Sequence, residues 1–165
     1  MNGLRLTLPQ HKQLSPGRWF WSCFAPLRAE FNRHFWLVPL QPWMGPPDGF
    51  ESGAWTVDYP GAGDTELGLW RPGAMGRWAD RFAEESIALM AVRLSDDPSK
   101  LASEFARVPW RAQDAWMAVR AEFFLRYTDG TSWDMYARQA ESVDAIKSNL
   151  VDNDAIRWQA APTLV

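Results

Sequence analysis

Residues 119 to 137, VRAEFFLRYTDGTSWDMYA, decide how the chain folds. Val119, Ala121, Phe123, Leu125 and Tyr127 alternate with Arg120, Glu122, Phe124 and Arg126, Asp129-Gly130 follows, and Trp133, Met135 and Ala137 resume the alternation. A period of two on both sides of an Asp-Gly pair is the signature of a β-hairpin. A two-residue turn would set Trp133 against Arg126 and Leu125 against Asp134. A three-residue loop, Thr128-Asp129-Gly130, instead pairs Leu125 with Trp133, Phe123 with Met135 and Ala121 with Ala137. The second register keeps apolar side chains on one face, and it asks Gly130 to adopt the left-handed conformation of a bulge.

Working outward, Leu4, Leu6 and Leu8 alternate with polar residues, and HFWLV (34 to 38), AWTVDY (54 to 59) and LGLWR (67 to 71) are rich in aromatic and β-branched residues, as strands are. Ser15-Pro16 marks a helix start while Trp19, Trp21 and Cys23 alternate as in a strand; with Pro26 interrupting, a short helix over 25 to 33 is expected. GRWADRFAEESIALMAVRL (76 to 94) places Ala79, Ala83, Ile87, Met90 and Leu94 on one side of an amphipathic helix. Asp97-Pro98 opens a further helix, with Leu101, Phe105 and Val108 as its buried stripe and Pro109 as its stop. Val143, Ile146 and Leu150 form another helical stripe, and Ile156, Trp158 and Ala160 a last strand. Nineteen of the 23 Gly and Pro residues fall within the first 76 positions, so strands and loops should lead and helices follow. The expectation is a single α+β domain over 1–165: an antiparallel sheet with strands in the N-terminal half and a C-terminal hairpin, packed by two to four helices.

The chain has 165 residues, 47% hydrophobic and 22% charged, with a net charge of -3. That composition excludes a disordered or collagen-like chain. No apolar run has the length of a membrane span, and the first 25 residues lack a continuous apolar core, so a cytoplasmic location is expected. One cysteine, Cys23, permits no internal disulfide and no Cys-rich zinc site. Arginine outnumbers lysine 14 to 3 and tryptophan occurs 11 times. Residues 1 to 43 carry five basic side chains against one acid, while the remainder is acidic, which weighs against a phosphate-binding protein.

Three constellations could carry chemistry. Catalysis would draw on the carboxylates Asp58, Asp64 and Glu66 around YPGAGDTELG, or on Cys23 paired with His34; the spacing forces neither group together. Aromatic stacking of a ligand or single-stranded nucleic acid would need Trp19, Trp21 and Trp36 exposed beside Arg18 and Arg33. Partner binding would use the loop QPWMGPPDGFESG (41 to 53), where Trp43, Met44 and Phe50 sit among breakers, with Asp48, Asp64 and Glu66 as an acidic rim. No metal-ligand spacing and no cofactor motif is present, and in DRFAEES Asp80 and Arg81 stand where a nucleotide-pyrophosphate hydrolase helix needs Arg then Glu, with no glycine or glutamate at the required upstream spacing.

FFLRYTDGTSWDMYARQAESVDAIKSNL (123 to 150), a strand, Asp-Gly turn, Trp-Asp strand and short helix, resembles the C-terminal portion of small bacterial immunity proteins of polymorphic toxin systems. The resemblance implies a cytoplasmic protein that occludes a toxin's active site and catalyses nothing, and it fixes no functional residues. Together these readings favour a non-catalytic protein-binding module using the 41 to 53 and 60 to 66 loops. A small hydrolase or transferase and an aromatic-stacking binder are the alternatives.

Overall fold

The structure, a computed structural model, describes residues 1–8, 16–39, 50–59, 63–79, 87–128, 131–153 and 155–164. Eight strands form one antiparallel sheet: β1 (Asn2–Thr7), β2 (Trp36–Pro39), β3 (Phe50–Tyr59), β4 (Gly63–Trp70), β5 (Ile87–Val92), β6 (Ala121–Thr128), β7 (Ser132–Ala137) and β8 (Arg157–Ala160). Their order across the sheet is β3-β4-β2-β5-β6-β7-β1-β8, so the first strand of the chain is inserted between β7 and the last. The α+β class with an antiparallel sheet is therefore as the sequence indicates. Four helices among the described residues reach eight residues or more: α1 (Pro16–Phe24), α4 (Pro98–Phe105), α5 (Trp110–Arg120) and α6 (Ala140–Leu150); α2 (Arg28–Phe31) and α3 (Ala74–Ala79) are shorter.

The central strands of the sheet are buried on both faces. On the first, Leu4, Leu6, Trp36, Leu89, Phe123, Leu125, Trp133 and Met135 pack against α1, α2, α3 and α6. Phe20 and Phe24 of α1 meet the Trp133 ring edge-on at 5.3 and 5.7 Å, and Phe31 meets Phe123 at 5.1 Å, the geometry that aromatic quadrupoles prefer. On the second face, Leu37, Leu69, Met90, Phe124 and Tyr136 pack against Leu101 and Phe105 of α4 and Met117 of α5.

Two-sided burial explains where the sequence expectations fail. The helix expected over 76 to 94 is replaced by α3 and the strand β5, with 80–86 outside the described residues. IALMAV is apolar at every position because Ile87, Leu89 and Ala91 face one layer while Met90 and Val92 face the other. Such a run has no period of its own and fits a central strand as well as a buried helix. Phe124, placed by alternation among the polar positions, is fully buried on the second face. Helical structure over the expected 25 to 33 starts earlier, at Pro16, and passes Pro26 through a 3₁₀ turn at Ala25–Leu27, where proline's fixed φ and missing N–H are tolerated.

The hairpin forms in a different register from the expected one. Leu125 lies opposite Met135, Tyr127 opposite Trp133 and Thr128 opposite Ser132. A shift of two residues leaves every side chain on its face, so the hydrophobic pattern cannot distinguish the registers. Cross-strand aromatic pairs do: Tyr127 and Trp133 stand 4.8 Å apart, and Phe124 stacks on Tyr136 at 5.7 Å and 18°. The Thr131 N–H donates to the Thr128 carbonyl at 3.1 Å to close the loop. Gly130, expected to be left-handed, lies outside the described residues.

Candidate functional site

The hairpin register aligns a row of charges across the second face. Arg126 of β6 is the cross-strand partner of Asp134 of β7, which is the partner of Arg5 of β1. Asp134 is buried, and its carboxylate accepts from Arg5 Nε at 2.6 Å and Nη2 at 2.7 Å. This bidentate fork raises the pKa of the Arg5 guanidinium, mainly through its hydrogen bonds to Asp134 and against the cost of burial. Arg126 turns instead to Asp114 of α5. Tyr136 lies in the field of all four groups. Its phenol is pushed up to about 12, first by burial and then by Asp134, with Arg126 and Arg5 opposing.

Beside this row lies a cleft of about 190 Å³, lined among others by Met1, Gly3, Ala118, Tyr136, Pro162 and Leu164. The segment following β8 forms one wall. The Ala161 N–H donates to the Gly3 carbonyl at 3.2 Å, and the Tyr136 hydroxyl donates to the Pro162 carbonyl at 2.8 Å. Gly3 packs closely here: a Cβ would stand 3.0 Å from both the Tyr136 ring and Ala161, so a larger residue would need these neighbours to give way.

Ala118 brings the last turn of α5 to the cleft. There the Val119 carbonyl accepts from both Arg93 and Arg138, the latter at 2.8 Å, and Arg138 also reaches the Ala121 carbonyl at 3.2 Å. Two guanidinium groups thus neutralise the negative end of the helix dipole. Arg120 pairs with Glu104 at 3.2 Å, and Arg138 Nε stands 3.8 Å from Glu122. Val119 (64% exposed), Leu94 (59%) and Met1 (41%) are large apolar side chains left in solvent around this end of the sheet. Val92 and Ala121 are the last paired residues of β5 and β6, and Leu94 and Val119 lie just beyond them.

The residues expected to carry function sit elsewhere. Asp58 and Asp64 are cross-strand partners near the end of the β3–β4 hairpin, and Glu66, which is exposed, is opposite Thr56. Phe50 is no loop residue; it belongs to β3, opposite Trp70. Trp43, Met44 and Asp48 lie outside the described residues. Cys23 and His34 are not joined. Cys23 is buried within the α1 core, where burial pushes its thiol up. His34 uses Nδ1 on the Val92 carbonyl at 2.8 Å and Nε2 on Glu30 at 3.2 Å, so neither ring nitrogen serves the cysteine. The expected stacking platform is not formed either: Trp19 and Trp36 are core residues, while Trp21 is half-buried beneath the Arg28 guanidinium.

The cleft escaped sequence reasoning because its lining comes from widely separated stretches of chain. Val119, read as the start of a strand, is the penultimate residue of α5. In the sequence, Arg126 and Asp134 of the charged row stand only as polar positions of an alternating pattern. Among the described residues no helix is long and apolar enough to cross a membrane. No protein-family model, curated protein or solved structure matches the chain.

Proposed function

We propose that this chain is a non-catalytic protein-binding module of the immunity or inhibitor kind, acting in the cytoplasm on a partner protein such as a cognate toxin. One observation carries the reading: exposed Val119, Leu94 and Met1 lie at one end of the sheet, where Arg93 and Arg138 are held on the Val119 carbonyl at the C-terminus of α5. Arginines beside exposed apolar side chains are common in binding hot spots, and the bonds of Arg93 and Arg138 to the α5 carbonyl hold these two at low entropic cost. The β3–β4 hairpin, with Phe50 at the start of β3 and Asp64 and Glu66 toward its turn, together with Trp43, Met44 and Asp48 earlier in the sequence, is the second surface in this proposal.

The reading predicts a toxin-type gene beside this one and a complex between the two purified proteins. Val119→Asp, at an exposed position, should keep the melting temperature and abolish the complex. Complex loss in Trp43→Ala/Phe50→Ala with retention in Val119→Asp would move the interface to the start of β3. Turnover of a substrate by the wild-type protein, stopped by alanine at Asp64 or Cys23, would replace the binding reading with the hydrolase or transferase one.

A further inference from the structure

We propose that β8 pairs with the β8 of a second copy of this chain, antiparallel about a two-fold axis at Gln159, so that two eight-stranded sheets join edge to edge. The proposal goes beyond the protein-binding reading and does not depend on it.

The ladder between β1 and β8 determines which backbone groups are left over. β8 is the last strand of the sheet, and among the described residues it pairs only with β1, Arg5 opposite Gln159 and Leu6 opposite Trp158. The Ala161 N–H donates to the Gly3 carbonyl, and in an antiparallel pair such bonds recur at every second residue. Arg157, Gln159 and Ala161 therefore turn their backbone groups toward β1. Trp158 and Ala160 turn theirs outward, where no described strand meets them. All four residues of β8 are exposed. An open edge of this kind is a template for another strand.

The edge is short, and its limits choose the occupant. On one side the Ile156 N–H is spent on the Asn153 carbonyl at 3.2 Å. On the other, Pro162 has no N–H and its carbonyl accepts from the Tyr136 hydroxyl. Two outward donors and two outward acceptors remain between these limits, on Trp158 and Ala160. A longer foreign strand would find no ladder partners beyond them, whereas a second β8 brings the same set. The two-fold register that sets Trp158 opposite Ala160 of the copy uses all of them, and it places Gln159 opposite Gln159.

Side chains agree with that register. A glutamine amide both donates and accepts, so two of them facing across the axis satisfy each other. The small Ala160 leaves room for the exposed Trp158 ring, which the Lys147 ammonium approaches to 5.4 Å. Arg157, the one charged residue of the strand, falls opposite Ala161, so no like charges are set against each other.

Sedimentation velocity over about a hundredfold range of protein concentration should show a monomer passing into a dimer and no further, since two copies close the edge. A strand pair buries less than a permanent interface, which places the dissociation constant in roughly the micromolar range. In amide exchange followed by NMR, Trp158 and Ala160 should gain protection with concentration, while Gln159 and Ala161 stay protected throughout. Ala160→Pro removes an outward N–H without touching the β1 ladder; it should keep the protein monomeric at an unchanged melting temperature in dilute solution. Gln159→Glu sets two carboxylates against each other and should weaken the dimer about fivefold, less so in high salt. A monomer at every concentration overturns the proposal. So does a dimer that survives both substitutions with the Trp158 and Ala160 amides still exchanging freely. Open-ended growth with concentration also overturns it, because β8 would then be pairing with the opposite edge, β3.

Discussion

Arg5 and Asp134 face each other across β1 and β7 and are joined by two hydrogen bonds, at 2.6 and 2.7 Å, between a guanidinium that is one-third exposed and a carboxylate that is almost fully buried. The pair ties the first strand of the chain to the C-terminal hairpin. Asp134→Ala should cost about 2–4 kcal/mol in urea denaturation, at the lower end for a buried pair because Arg5 still reaches water. Arg5→Met/Asp134→Leu should recover most of the loss, since a buried ion pair replaced by packing apolar groups is often near neutral. A change below about 0.5 kcal/mol in the single variant would deny the pair a structural role.

Tyr136 makes stability sensitive to alkali. With the folded-state phenol raised to about 12 from an ordinary 10, the folded protein keeps a proton that the unfolded chain loses. Stability from this group is in full below the unfolded value and is lost as pH rises toward the folded one. Tyr136→Phe should remove that part of the alkaline decline and cost about 0.5–1.5 kcal/mol at neutral pH through the lost bond to Pro162. Denaturation curves of both proteins across the alkaline range check it; identical pH slopes would contradict it.

At the start of α4 the Asp97 carboxylate accepts from the Lys100 N–H at 2.9 Å, with Pro98 in the first turn. Asp97→Ala should destabilise by about 0.5–2 kcal/mol. An unchanged denaturation midpoint and slope would show that the cap contributes nothing.

Cys23, buried and with its thiol raised, should resist alkylating reagents in the folded protein and react on unfolding. Labelling followed by mass spectrometry should give native rates at least about a thousandfold below those in denaturant, because reaction then requires local opening. Fast native labelling would place the thiol in an accessible pocket and revive it as a nucleophile.

Local patterns foretold much of the fold: the strands around Leu4, Leu37 and Leu69, the hairpin, the Asp97 cap and the Val143 stripe all agree with the structure. Where a pattern had two solutions, distant contacts chose. IALMAV becomes a strand because β2 and β6 border it, and Leu125 meets Met135 because the aromatic pairs align that way. The cleft was not legible, since Met1, Ala118, Tyr136 and Leu164 meet only after β1 has been inserted beside β7. Along the β3–β4 hairpin the sequence could name aromatic and acidic residues but could not tell a strand from a loop at Phe50.

The central claim is that the partner docks at the end of the sheet where Met1, Leu94 and Val119 are exposed around the C-terminus of α5. Hydrogen–deuterium exchange of the protein, free and in complex with the purified partner, tests it directly. The account predicts new protection in residues 1–5, 116–121 and 161–164, with β3 and β4 unchanged. Protection confined to residues 41–66, with those three segments exchanging as in the free protein, would contradict it.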